Sequence, residues 1–216
     1  FLVDNNLFLS PLSLLDMSEG GAYVHNLMTG RIVSRPEPRR STPYHRAHST
    51  ALAGLNSTLG GDDRFYNNMF VGNGGAPSGA DANPLRFGGF GLWVYNHRES
   101  PLATGGNVYF AGARAYFKEE CALDRSGADP KIEVAEEGGH VYLRLNLGPE
   151  VRTAATKLVD TELLGKTEVS GLGYENADGS RVEIDSDYFG KKRKLSAPLA
   201  GPFEDPGQGG LNLKVW

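Results

Sequence analysis

A short phrase recurs in the first half of the chain, an asparagine followed by apolar residues: NNLF (5–8), HNLM (25–28), NNMF (67–70) and GNVYF (106–110). The aligned asparagines, Asn6, Asn26, Asn68 and Asn107, are 20, 42 and 39 residues apart. Those gaps are one, two and two periods of about 20 residues, a length that suits one coil of a parallel β-helix. At equal phase on successive coils, asparagines can hydrogen-bond along a ladder while the apolar residue that follows fills the interior. The pattern predicts one phase for the four asparagines, with Leu7, Leu27, Met69 and Val108 as buried or half-buried neighbours. It also predicts an Asn-less coil inside each of the two longer gaps.

The pattern changes near DRSGADP (124–130). HVYLRLNL (140–147) alternates strictly, with Val141, Leu143, Leu145 and Leu147 on one face, and LNLKVW (211–216) repeats the alternation. Period two is the mark of a half-buried strand. KIEVAEEGGHVYLRLNL reads as a hairpin turning at EEGG, and NADGS (176–180) as a further turn before RVEID. Helical signals are poor; EVRTAATKLVDTELLG supports a short helix or a turn-rich crossover. The expected class is all-β, with right-handed parallel β-helix coils over 1–125 and an antiparallel, sandwich-like region over 126–216.

Composition narrows the function classes. The chain of 216 residues carries a net charge of −4 with interspersed signs, so neither nucleic acid nor an anionic membrane is the expected partner. KKRK (191–194), the one basic cluster, reads as a solvated turn rather than a phosphate site. The 29 glycines are spread along the chain, as in a turn-rich β protein. A single cysteine, Cys121, excludes an internal disulfide and a multi-cysteine metal site. No apolar run reaches transmembrane length. The apolar opening FLVDNNLFLSPLSLL lacks a basic region and contains Asp4, unlike a signal peptide. It begins at Phe1 within an apparently structured segment, as a processed or truncated chain would.

Candidate chemistry rests on carboxylates. Adjacent coils lie about 4.8 Å apart, so carboxylates at equal phase stand at about the 5–5.5 Å that retaining glycosidases use. Asp16, in LLDMSEGG, could join such a row with Glu19 at the turn; a turn-capping carboxylate is the other reading. Asp62 and Asp63 in GGDDRF fit an Asx-type loop, and no spaced acidic pattern supports calcium. STPYHRAHST (41–50) holds Tyr44, His45 and His48 among hydroxyl residues. The nearby proline argues for a loop suited to a hydroxyl-rich ligand rather than to a metal. His25, beside Asn26, reads as a satisfied structural residue.

NNLFLSPLSLLDMSEGGAYVHNLMTG, STPYHRAHST, GGDDRFYNNMFVGNG, YENADGSRVEIDSDYFGKKRK and GPFEDPGQGGLNLKVW together resemble the C-terminal third of large right-handed parallel β-helix glycosidases. The chain is similar to glycoside hydrolase family 120, the β-xylosidase family. The resemblance implies a retaining mechanism with an Asp nucleophile and a Glu acid/base, in family segments resembling WLDW and FFEVNHGP. Neither segment occurs here, so no catalytic residue is expected in this chain, and Asp16 would stand at the equivalent phase on the next coil. Were the chain self-contained, Asp16, Asp62 and Asp63 would be the catalytic candidates. The resemblance makes 41–50 a loop projecting near the cleft, with Asp16, Glu19, Tyr44, His45 and His48 as substrate-binding residues. Asp16 is then expected to face the cleft beside a carboxylate supplied from upstream. The expected partners are an upstream β-helix polypeptide carrying the catalytic pair and a xylo-oligosaccharide-type substrate, in an oligomeric assembly. No cofactor and no metal is expected. A polysaccharide lyase on the same scaffold would want an acidic Ca²⁺ cluster and a Lys or Arg base. A non-catalytic carbohydrate-binding or assembly module remains the other alternative.

Overall fold

The computed structural model describes residues 1–74 and 84–216, with the backbone alone at 84 and 85. The chain is almost entirely β. Its first circuit runs through β1 (Leu2–Asp4), β2 (Leu7–Phe8) and β3 (Leu12–Asp16). The second runs through β4 (Ala22–Val24), β5 (Leu27–Met28) and β6 (Arg31–Ser34). A hairpin of β7 (Glu37–His45) and β8 (Leu52–Thr58) then leaves the stack. The chain returns through β9 (Arg64–Tyr66) and β10 (Met69–Val71), passes α1 (Pro84–Phe87) and a 3₁₀ turn (Leu92–Tyr95), and makes a fourth circuit through β11 (Ala103–Gly105) and β12 (Val108–Phe110). β13 (Leu123–Arg125) is the last parallel strand.

Strands at equal positions in successive circuits pair in parallel. One sheet has the order β1-β4-β9-β11, a second β2-β5-β10-β12-β13, and β3 pairs with β6 on a third side. β1 and β2 are edge strands. Between the two sheets the chain turns sharply at Asn5, His25, Asn67 and Gly106, all with φ between 54° and 66°. Left-handed backbone is tolerated by Asn, His and Gly far better than by branched residues, which explains the residue types placed just before each ladder asparagine.

The ladder forms as the repeat predicts. The backbone N–H and Nδ2 of Asn6 donate to Oδ1 of Asn26, those of Asn26 to Asn68, and those of Asn68 to Asn107. Asn107 closes it by donating from Nδ2 to Glu119. Two details correct the sequence reading. Neither longer gap inserts a rung, since Asn26 contacts Asn68 and Asn68 contacts Asn107 directly; among the described residues the first gap's surplus length is spent on the hairpin. The residue after each asparagine does not fill the interior. Leu27, Met69 and Val108 pack outward against Leu143, Leu145 and Phe203, while the next residues, Met28, Phe70 and Tyr109, fill the space between the sheets. Strand side chains alternate faces, so one position separates inside from outside.

The second half covers the outer faces. β14 (Glu133–Glu137), β15 (His140–Leu147) and β16 (Gly209–Lys214) form an antiparallel sheet with a turn at Gly138 and Gly139, as the alternation predicts. Between β15 and β16 lie a 3₁₀ turn (Pro149–Thr153), α2 (Thr161–Leu164) and a run of turns joined by isolated antiparallel bridges. This stretch packs Val159, Leu164, Tyr174, Val182 and Ile184 over Ala22 and Val24. KKRK departs from a solvated turn in one residue: the Arg193 side chain is 0% exposed and paired with Glu204.

Candidate functional site

β3 delivers Asp16 to the interior, and the chain then crosses through Met17, Ser18, Glu19 and Gly20 to β4. These four residues floor an open pocket of about 420 Å³, walled by Arg40, Thr42 and Tyr44 of the hairpin and by Thr167, Val169 and Ser170. Tyr44 can lie across the hairpin because Gly54 stands opposite; a Cβ there would be 2.5 Å from the Tyr44 hydroxyl.

Glu19 braces this wall. Its Oε1 accepts the N–H groups of Leu59 and Gly60 at 2.7 and 3.1 Å, and its Oε2 accepts Nδ2 of Asn56 at 2.7 Å. One carboxylate therefore ties the pocket floor to the base of the hairpin.

Asp16 does not face an open cleft. It is 3% exposed, its Oδ1 accepts the N–H and hydroxyl of Ser18, and its Oδ2 accepts the Tyr95 hydroxyl at 2.9 Å. The expectation of a cleft-facing Asp16 is corrected. Asp16 is the last residue of β3, where the strand's alternation and the Tyr95 hydroxyl behind it draw the side chain inward.

Asp63, 0% exposed, lies beside it. Its Oδ1 accepts the N–H of Gly21 at 2.7 Å, while its Oδ2 meets no N–H or O–H donor among the described residues. The polar partner it does meet is the Asp16 carboxyl. Two carboxyls in contact in an apolar interior are satisfied by one proton between them. Burial first, then the charge of Asp16, pushes the Asp63 carboxyl well above the usual carboxylate range. Burial and the same two carboxyls also raise the Tyr23 and Tyr95 phenols.

Asp62 has a different task. With φ 54°, it turns outward to accept Nη1 of Arg64 at 2.6 Å and the N–H of Glu168 at 2.8 Å. Arg64 in turn donates to the carbonyls of Leu164 and Lys166 and lies over the Tyr174 ring. The pair clamps the 164–168 segment, which carries one wall of the pocket.

The segment 41–50 is a loop over its second half only. It runs in β7 to His45, and residues 46–50 form the hairpin turn. His45 donates from Nδ1 to the Thr50 carbonyl, and His48 approaches Glu175 at 3.2 Å. Neither borders the pocket, so Glu19 and Tyr44 are the sequence-named residues that do, with Asp16 and Asp63 beneath. Among the described residues no group of three or more His, Cys, Asp and Glu side chains is arranged to hold a metal ion. Sequence reasoning missed Tyr95 and the 167–170 wall, which come from distant segments and carry no local signal.

No family model and no curated protein matches the chain. Among solved structures, XylC in complex with xylose matches the chain over 100% of its length with a TM-score of 0.82 and 33% sequence identity. The chain spans 36% of XylC.

Proposed function

We propose that this chain forms the last coils of a right-handed parallel β-helix, residues 1–125, with an antiparallel companion over 126–216, in a retaining exo-glycosidase of the family 120 kind acting on xylose-type glycosides. The observation that carries the reading is the full-length likeness to XylC, a protein solved with xylose, at 33% identity. The pocket supports it: an open hollow of about 420 Å³ with Arg40, Tyr44 and Ser170 at its wall offers hydrogen-bonding groups to a small polyol.

In this reading the catalytic Asp and Glu lie on preceding coils, stacked on β1 and β2. Retaining chemistry needs two carboxyls about 5–5.5 Å apart, one attacking the anomeric carbon and the other protonating the leaving oxygen. Asp16, Asp62, Asp63 and Glu19 are engaged in holding the fold, so this chain supplies the wall and floor of the sugar site. That same engagement favours, as the second reading, a carbohydrate-binding module without chemistry of its own.

Assay of residues 1–216 alone and joined to the preceding coils, on a chromogenic β-xyloside, tests the proposal. Turnover is expected only from the longer protein, and a cooperative, monodisperse fold only when the edge strands are covered. Turnover by 1–216 alone would move the catalytic pair into this chain. Binding of D-xylose with no turnover by the longer protein would favour the second reading.

A further inference from the structure

The segment 17–21 is gripped at both ends by two neighbouring buried carboxyls. Asp16 accepts two hydrogen bonds from Ser18, and Asp63 accepts the N–H of Gly21. The oxygens that remain are buried: Asp16 Oδ2 takes the Tyr95 hydroxyl, and Asp63 Oδ2 finds no donor among the described residues and has the Asp16 carboxyl as its neighbour. Gly20, at φ 72°, and Gly21, where a Cβ would sit 2.4 Å from the Phe1 ring, let the chain pass this close.

We propose that Asp16 and Asp63 are positioning residues that, joined by one shared proton, hold the 17–21 segment as the floor of the pocket. The proposal rests on the sugar-site reading for what the floor contacts, but the floor itself is defined by geometry. Asp63 donates its proton to Asp16, and the two carboxyls then accept Ser18 and Gly21 without repulsion. Loss of that proton leaves two buried negative charges side by side, and relief comes from letting water in at 17–21.

The groups facing the pair are Asp62, Tyr23 of β4, Tyr95, Arg98 beyond the 3₁₀ turn, and Tyr174. Burial of Asp63, then the Asp16 charge and least that of Asp62, raise its carboxyl. The carboxyl is raised from 3.8 in the fold, so its contribution is complete below that value and is lost as pH climbs through the folded one.

The test is hydrogen exchange of the 17–21 backbone against pH in the protein joined to its preceding coils, corrected for intrinsic rates and referred to β12. Protection in the wild type is expected to fall at least about tenfold as the shared proton leaves. Asp63→Asn places a carboxamide that accepts Gly21 through Oδ1 and donates to Asp16 through Nδ2, so its profile should be flat. Asp63→Ala should leave 17–21 unprotected at every pH. A pH-independent wild type, or an Asp63→Asn profile that follows the wild type, overturns the proposal. The wild-type arm decides the matter even if a variant does not fold.

Titration of D-xylose on the same samples separates the two ideas. Xylose binding with one pH profile in wild type and Asp63→Asn overturns the positioning role and leaves the sugar site standing. A flattened exchange profile without xylose binding upholds the positioning role and overturns the sugar site.

Discussion

His25 and Arg193, 168 residues apart in the numbering, donate to the same acceptor: His25 Nδ1 and Arg193 Nη2 reach the Gly201 carbonyl at 3.2 and 3.1 Å. The other imidazole nitrogen, Nε2, accepts from Asn67 at 3.1 Å. Both ring positions are thus assigned by their partners, and the ring is held neutral with its proton on Nδ1.

Burial, then the Arg193 charge, holds His25 well below its ordinary 6.5. The folded state binds its proton more weakly than the unfolded chain, so the stability it contributes is present above 6.5 and lost as pH falls toward the folded value. Urea midpoints measured from pH 7.5 down to 5 should therefore decline, and His25→Gln should remove that part of the slope. An unchanged slope in His25→Gln would show that the acid sensitivity arises elsewhere.

Asn68 is the central rung of the ladder. It accepts two hydrogen bonds from Asn26, donates two to Asn107 and donates from Nδ2 to the Tyr23 carbonyl. Asn68→Ala strands two donors of Asn26 and the Tyr23 carbonyl in a dry interior. Each buried group left unpaired costs about 1–3 kcal/mol, so a loss of at least that size is expected from the urea midpoint. Asn6→Ala, at the exposed edge of the same ladder, should cost much less because water replaces what it loses.

That ladder was the most legible feature of the sequence, because stacking forces one residue type to recur at one phase. The strand pairs of β14, β15 and β16 were legible for a similar reason: one face is buried, and alternation follows. What could not be read was how much chain separates two rungs. Forty-two residues between Asn26 and Asn68 fit two circuits as well as one circuit with a hairpin, since insertions leave the ladder intact. The direction of Asp16 was hidden too. Strand alternation allows an inward carboxyl, but the partner that holds it there, the Tyr95 hydroxyl 79 residues away, has no local signal. Arg193 read as part of a surface basic run for the same reason, its acceptors being supplied by 199–204 and by Asn5.

Arg193 offers the sharpest test of how the second half is tied to the first. Its side chain is fully buried and donates to Asn5 Oδ1 at 2.6 Å, to the carbonyls of Leu199 and Gly201, and to Glu204 Oε2 at 3.4 Å. Glu204 also accepts the N–H of Leu199, while its Oε1 is buried with no hydrogen-bond partner among the described residues. Removing the cation alone, in Arg193→Met, leaves that carboxylate uncompensated, a loss of about 3–5 kcal/mol by analogy with other buried pairs. Arg193→Met with Glu204→Gln should recover part of it, since no buried charge then remains. Arg193→Lys keeps the charge but not the fork, and should fall between wild type and Arg193→Met. The substitution has a second signature. The guanidinium charge is one cause of the low His25 value, so Arg193→Met should let that value rise, moving the imidazole titration toward neutral pH. Urea unfolding reads the first effect and the imidazole proton shift the second. A stable Arg193→Met protein with an unmoved His25 would mean that the 199–204 segment is held by its apolar packing, through Leu199, Ala200 and Phe203, rather than by this cation.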